Sequence, residues 1–210
     1  MRLVIKVCGV RRAEDAVRAA ELGASYVGCV LALDSPRRAS LAEVREVVAS
    51  LQVAPSVESG PAPVLVFRDA SFEEVLAATR ATGVSRVQVH GATAADLAAL
   101  AAAGLSVHRV FALAPDASEL PVLDPAPHPD RPALLDVGRG GSGEVFDWRL
   151  LSSGAPPATL VAGGITPDNV HGLLPYGPYG LDVSSGIEER PGRKDPGAMN
   201  ALFAALEGEA

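Results

Sequence analysis

The sequence predicts a single α/β domain over residues 1–210, a (β/α)8 TIM barrel with a degenerate fifth helix region. Three observations lead there. Short apolar runs alternate with helical patterns about every twenty residues, and no hairpin signal separates them, so neighbouring strands should be parallel and joined by crossovers. Eight such units can be read, the number that closes a barrel, and 210 residues is near the lower end for that fold. Glycine loops follow the last two strands, where barrels bind phosphate. An open doubly wound sheet is the alternative, and it gives no reason for that placement.

The elements follow in order. Leu3 to Cys8 is an apolar run interrupted once, as expected of a strand buried on both faces, and Gly9 ends it. From Arg12 to Leu22 the residues Ala16, Val17, Ala20 and Leu22 share one helical face, with Gly23 at the C-cap position. Tyr26 to Leu31 is the second strand, Ala32 to Ser40 its loop and Leu41 to Leu51 its helix; Val53 to Pro61 is a Pro/Ser/Gly-rich connection. Pro63 to Phe67 precedes a helix capped by Ser71 and running to Thr82, and Arg86 to Val89 precedes an Ala-rich helix from Ala94 to Ala103. Ser106 to Leu113 is the fifth strand, followed by a stretch too rich in proline for a full helix.

Ala133 to Asp136 is a sixth strand ending in a carboxylate, followed by a glycine loop, Gly138 to Gly143, and helical turns within Phe146 to Leu151. Thr159 to Ala162 stops at Gly163 and Gly164, after which Thr166 and Pro167 read as the N-cap and first residue of a helix. Leu181 to Val183 leads directly into Ser184, Ser185 and Gly186, and Asp195 to Leu206 closes the chain as a helix. Glycine lets backbone N–H groups approach an anion, so both late loops are suited to one phosphate.

Composition narrows the function classes. The formal net charge is −7 and no basic stripe with interleaved aromatics is present, so nucleic acid is not an expected partner. The opening MRLVIKVCGV is too short an apolar run, and is broken by Lys6, for a signal peptide or membrane span; a cytoplasmic protein without a membrane partner is expected. Cys8 and Cys29 make neither a disulfide framework nor a metal site.

In a barrel the active site lies at the carboxyl ends of the strands, which filters the candidates by position. Cys8 ends strand one, Arg37 follows strand two, His90 ends strand four, Asp136 ends strand six and Asp182 lies within strand eight. Cys29 and His108 fall to the core or the bottom face by the same filter. Each candidate has a plainer alternative: Cys8 as a small buried hydrophobe, Asp136 as a structural carboxylate, Arg37 as a surface charge, His90 as a satisfied loop histidine, Asp182 as a loop tether. A thiol in modestly positive surroundings is a usable base. For Asp136 to act as an acid at neutral pH, its pKa must rise about three units, roughly 4 kcal/mol, which burial beside a phosphate dianion can supply.

Taken together, KVCG at Lys6 to Gly9, SPR at Ser35 to Arg37, QVHG at Gln88 to Gly91, LLD at Leu134 to Asp136, GGSG with FDW through Trp148, AGGITPDNV at Ala162 to Val170 and DVSSGIE with PGRKD through Asp195 resemble the phosphoribosylanthranilate isomerase family, in its own order and along the whole chain. The resemblance implies an Amadori rearrangement of a phosphorylated sugar amine in tryptophan biosynthesis, with Cys8 as general base and Asp136 as general acid. It further implies that Arg37 holds the anthranilate carboxylate, that Gly141, Ser142, Gly143, Gly163, Gly164, Ser185 and Gly186 hold the phosphate, and that His90 and Asp182 are active-site residues. No metal or redox cofactor is required, because the reaction relocates protons. A monomer and a homodimer are both compatible with it.

Some positions depart from the family's pattern. Cys29 stands where Phe is usual, Asp34 precedes SPR where a neutral or basic residue is commoner, Ser142 replaces Thr, and the loop from Asp136 to Gly141 is short and carries Arg139. Two other functions compete: a related isomerase for another aminosugar phosphate, and a non-catalytic phospho-ligand-binding barrel. The dual-substrate isomerases carry a carboxylate base at the end of strand one, and Cys8 speaks against them.

Overall fold

The computed structural model describes residues 3–53, 60–114, 116–124, 126–137 and 145–207. Nine parallel strands form one sheet, in the order β5-β4-β3-β2-β1-β9-β8-β7-β6. They are β1 (Val4–Cys8), β2 (Tyr26–Val30), β3 (Ala62–Arg68), β4 (Arg86–His90), β5 (Ser106–His108), β6 (Val110–Leu113), β7 (Ala133–Val137), β8 (Thr159–Ala162) and β9 (Gly180–Val183). The two edge strands are halves of one stretch. Only Arg109 separates β5, which pairs with β4, from β6, which pairs with β7. The sheet therefore curls into a nearly closed barrel, in which Ser106 to Leu113 serves one neighbour with each half.

Helices α1 (Ala13–Glu21), α2 (Leu41–Val53), α3 (Phe72–Thr82) and α4 (Ala94–Ala102) cross between the first five strands, and α5 (Pro196–Glu207) closes the chain. The cap read at Ser71 is a full capping box: its hydroxyl accepts from the Glu74 N–H, and the Glu74 carboxylate accepts from the Ser71 N–H at 2.8 Å. Asp195 starts α5 by accepting from the Gly197 N–H at 2.7 Å.

The second half departs from the helical reading. Behind β8 there is no α-helix, only 3-10 turns at Val170–Gly172 and Leu174–Tyr176. Thr166 and Asn169 do exchange side-chain and backbone hydrogen bonds, at 2.8 and 3.3 Å, as an N-terminus requires. Gly172, Pro175, Gly177 and Pro178 then stop propagation. Beyond β9 lies a hairpin of β10 (Glu188–Arg190) and β11 (Arg193–Lys194), turned at Pro191-Gly192, in place of a direct passage from the serine loop to the last helix. Among the described residues no helix is long and apolar enough to cross a membrane.

The alternation of each strand divides the core. Ile5, Val7, Val27, Cys29, Leu65, Phe67, Val87 and their partners pack outward against the helices. Cys8, Val30, Ala32, Val64 and Val66 form one inner cluster, and Leu134, Leu160 and Ala162 another. Other inner positions are polar yet buried, namely Lys6, Gln88, His108 and Asp182. Cys29 and His108 are thus core residues, as their positions in the chain imply.

Candidate active site

A cavity of about 310 Å³ opens at the carboxyl ends of the strands. Cys8, Arg37, His90, Asp136, Gly163, Gly164, Asp182 and Ser185 all line it, so residues from six parts of the chain converge as their positions implied. Gly141, Ser142 and Gly143 lie outside the described residues.

Cys8 and Lys6 sit two residues apart on β1 and share its inner face. Their neighbour Gly28 on β2 makes room for both: a Cβ there would lie 2.8 Å from the Cys8 Sγ and 3.2 Å from the Lys6 Cε. Lys6, fully buried, donates to the Asp182 Oδ2 at 2.7 Å and to the Gln88 Oε1 at 2.9 Å. An ammonium has only donors, so it fixes the Gln88 amide with its oxygen inward. The Gln88 Nε2 then donates to the His90 Nε2 at 2.8 Å, which leaves the ring proton of a neutral His90 on Nδ1. Burial, Lys6 and Arg68 lower the His90 pKa to about 4, so the ring is neutral at pH 7.

Burial opposes the Lys6 charge, but Asp182 and Cys8 outweigh it and keep the ammonium protonated. Burial likewise pushes the Asp182 carboxyl up, and Lys6 pulls it back. Among the described residues its Oδ1 is buried without a hydrogen-bond partner. For Cys8, burial raises the thiol pKa, and the opposing pull of Lys6 and Lys194 does not cancel it. The positive surroundings anticipated for the thiol are present, but the resting group is a thiol.

Asp136 stands on β7, three strands from β1 around the barrel. It is 7% exposed, and its Oδ1 accepts from the Val137 N–H at 2.8 Å. Burial first, and then the charge of Asp182, lift its pKa from 3.8 to about 6. That supplies about two of the three units an acid at neutral pH needs.

Arg37 reaches the cavity wall, but the structure gives it a partner that the sequence did not announce. Its Nε lies 3.1 and 2.9 Å from the two carboxylate oxygens of Glu188, with Nη2 at 2.9 Å. Glu188 also accepts from Lys194 at 3.0 Å. Burial alone would raise the Glu188 pKa; Lys194 and Arg37 reverse that and hold it below the ordinary carboxylate value. The unusual Asp34 pairs with Arg68 at 2.9 Å, which accounts for an acid so near the SPR motif.

The two late loops meet. Gly163 and Gly164 have φ of 98° and 56°, a left-handed backbone that favours glycine, and they line the cavity with Ser185. Gly186 is packed beneath, where a Cβ would run into the Ile165 carbonyl. The loops end in 3-10 turns, so what they offer an anion is individual N–H groups more than a helix dipole.

Lys6, Gln88, Arg68, Ser184, Glu188 and Lys194 were not singled out from the sequence. Lys6 alone had a local signal, a lysine inside an apolar strand on the face that carries Cys8.

Residues 5–205 match the family model for N-(5′-phosphoribosyl)anthranilate (PRA) isomerase. The N-(5′-phosphoribosyl)anthranilate isomerase of Deinococcus radiodurans is 36% identical over 207 residues, covering 97% of this chain and 96% of that protein. The tryptophan biosynthesis protein TrpCF of Yersinia pestis is 35% identical over 96% of this chain, which spans 40% of that longer protein. The crystal structure of phosphoribosyl anthranilate isomerase from Thermus thermophilus superposes with a TM-score of 0.79 at 33% identity, covering 99% of this chain and 100% of that one. The chain belongs to the N-(5′-phosphoribosyl)anthranilate isomerase family, whose reaction in tryptophan biosynthesis it carries out.

Proposed function

We propose that Asp136 and Cys8 divide the proton transfers of this isomerisation between them. Asp136 donates its proton to the furanose ring oxygen as the bond from that oxygen to the anomeric carbon breaks, giving a protonated Schiff base. The thiolate of Cys8, the minor form of a group that rests as a thiol, takes the proton from the adjacent sugar carbon, and the resulting enolamine tautomerises to the 1-deoxyribulose 5-phosphate product. What supports the assignment is that both groups line one cavity from strands nearly opposite each other, and that burial holds Asp136 protonated far above an ordinary carboxylate.

Around that pair, Gly163, Gly164 and Ser185 hold the phosphate, with Gly186 setting how closely the two loops approach. The sequence adds Gly141, Ser142 and Gly143 to that role. Arg37 takes the anthranilate carboxylate, Asp182 accepts from a sugar hydroxyl through Oδ1, and neutral His90 donates from Nδ1. The protein works in the cytoplasm as a monomer or homodimer, on a small-molecule substrate. Turnover tests the reading: the purified protein should consume the fluorescence of N-(5-phosphoribosyl)anthranilate and rescue a tryptophan auxotroph lacking this step. Binding without turnover would overturn it.

A further inference from the structure

Three distant motifs meet at Gly9, immediately behind the cavity wall. A Cβ on Gly9 would lie 2.8 Å from the Arg37 Cδ, 3.0 Å from the Ser184 Oγ and 3.3 Å from the Glu188 Oε1, and its φ is +77°. The Ser184 hydroxyl donates to the Cys8 carbonyl at 3.1 Å. Glu188 sits at the centre of the group. One side of its carboxylate receives Arg37 in a fork, and its Oε1 also receives Lys194 Nζ at 3.0 Å and the Gly192 N–H at 3.2 Å. Lys194 donates further to the Ser184 carbonyl, at 3.1 Å, in the loop that follows β9.

The group is dry: the Glu188, Lys194 and Arg37 side chains are 3, 0 and 12% exposed. Two cations share one carboxylate by direct hydrogen bonds, whereas the nearby Asp15 reaches Lys194 through its backbone N–H, at 3.4 Å, and not through its ammonium. A ligand anion at the cavity edge of Arg37 would complete the charge balance. Guanidinium has five N–H donors in a planar fork. With the Nε side committed to Glu188, the remaining edge is held in one orientation before any ligand arrives. Without that clamp, Arg37 would lose rotamer freedom on every binding event.

We propose that Glu188 is a positioning residue for recognition of the substrate carboxylate: it clamps the Nε side of Arg37, and Lys194 ties that clamp to the loop after β9. This rests on the reading of Arg37 as the carboxylate ligand. A merely structural role for Glu188, as counter-ion to Lys194, would affect all substrates alike.

The test pairs a change in the protein with a change in the substrate. Glu188→Gln and Arg37→Ala are assayed with N-(5-phosphoribosyl)anthranilate and with N-(5-phosphoribosyl)aniline, which lacks the carboxylate, and inorganic phosphate is measured as an inhibitor. For Glu188→Gln, KM for the anthranilate substrate should rise about tenfold with kcat within about threefold, while kcat/KM for the aniline substrate and the phosphate inhibition constant stay unchanged. Equal losses on both substrates, a matching loss of phosphate affinity, or no change on either would overturn the proposal. If Arg37→Ala is carboxylate-selective and Glu188→Gln is not, only the positioning role falls. If Arg37→Ala is not selective, the Arg37 reading falls and the proposal with it. Should Glu188→Gln not fold, Glu188→Asp, which keeps the charge and shortens its reach, must show the same selective loss in milder form; a non-selective loss overturns the proposal.

Discussion

Lys6 and Asp182 face each other across β1 and β9 and meet at 2.7 Å inside the barrel, with neither residue more than 8% exposed. So dry a pair is a poor stabilising device, because the desolvation of two charges consumes most of their attraction. We propose that its position beside Cys8 and Gln88 gives it a chemical use instead. Lys6→Met should cost about 3–5 kcal/mol of stability by leaving Asp182 uncompensated. Lys6→Met/Asp182→Leu should recover most of that while kcat/KM stays down about a hundredfold or more. Urea titration and steady-state assays on the two variants check both parts; recovered activity in the double variant would refute the chemical role.

The pH profile follows from two pKa shifts of the same sign. Asp136 keeps its proton up to about pH 6, and the Cys8 thiol titrates above the ordinary thiol range. Below pH 6 Asp136 has no further proton to gain while thiolate falls tenfold per unit, so kcat/KM should decline with a one-proton slope. Between the two pKa values the gain of thiolate offsets the loss of acid, and the profile should be flat. In Asp136→Asn the residual activity should instead rise with pH through the neutral range. A flat profile in that variant would show that Asp136 is not the acid. His90, with a pKa of about 4, adds no limb in this range.

Asp136 also carries a stability cost. Its folded pKa is raised from 3.8 to about 6, so the folded state holds this proton more tightly than the unfolded chain. Its favourable contribution is therefore fully present below pH 3.8 and lost as pH rises through about 6, with a difference of about 3 kcal/mol. Asp136→Asn should accordingly be more stable than the parent above pH 6, by up to that amount, and lose the advantage towards pH 4. Denaturant midpoints at the two pH values decide; no pH-dependent gap would mean the carboxyl is not desolvated as the geometry indicates.

Gly186 sets the distance between the two late loops. A Cβ at this position would collide with the Ile165 carbonyl, which is backbone and cannot swing away. Gly186→Ala should cost about 1–3 kcal/mol and weaken inhibition by inorganic phosphate about tenfold, with kcat changed less. Unchanged phosphate inhibition would separate this glycine from the phosphate site.

The sequence made legible whatever depends on position along a strand. Cys8, His90 and Asp136 fall at or near strand ends and reach the cavity for that reason. Ser71 caps as read, because capping is decided within four residues. What stayed hidden depends on partners far away. Asp182 is 176 residues from Lys6, and Glu188 is 151 residues from Arg37, so neither pair has a local pattern. Arg37 lines the cavity, but nothing in the SPR motif announces that it is held from behind. The helix read after Gly164 failed for a local reason: its cap is sound, but two glycines and two prolines follow within the next turns.

The division of labour between Cys8 and Asp136 is measured by kcat for Cys8→Ser and for Asp136→Asn, with the inorganic phosphate inhibition constant alongside. Each variant should lose about 10²–10⁴-fold in kcat while phosphate inhibition stays within about threefold of the parent. Turnover within a few-fold of the parent in either variant, with phosphate inhibition intact, would show that the proton transfers are not divided between these two residues.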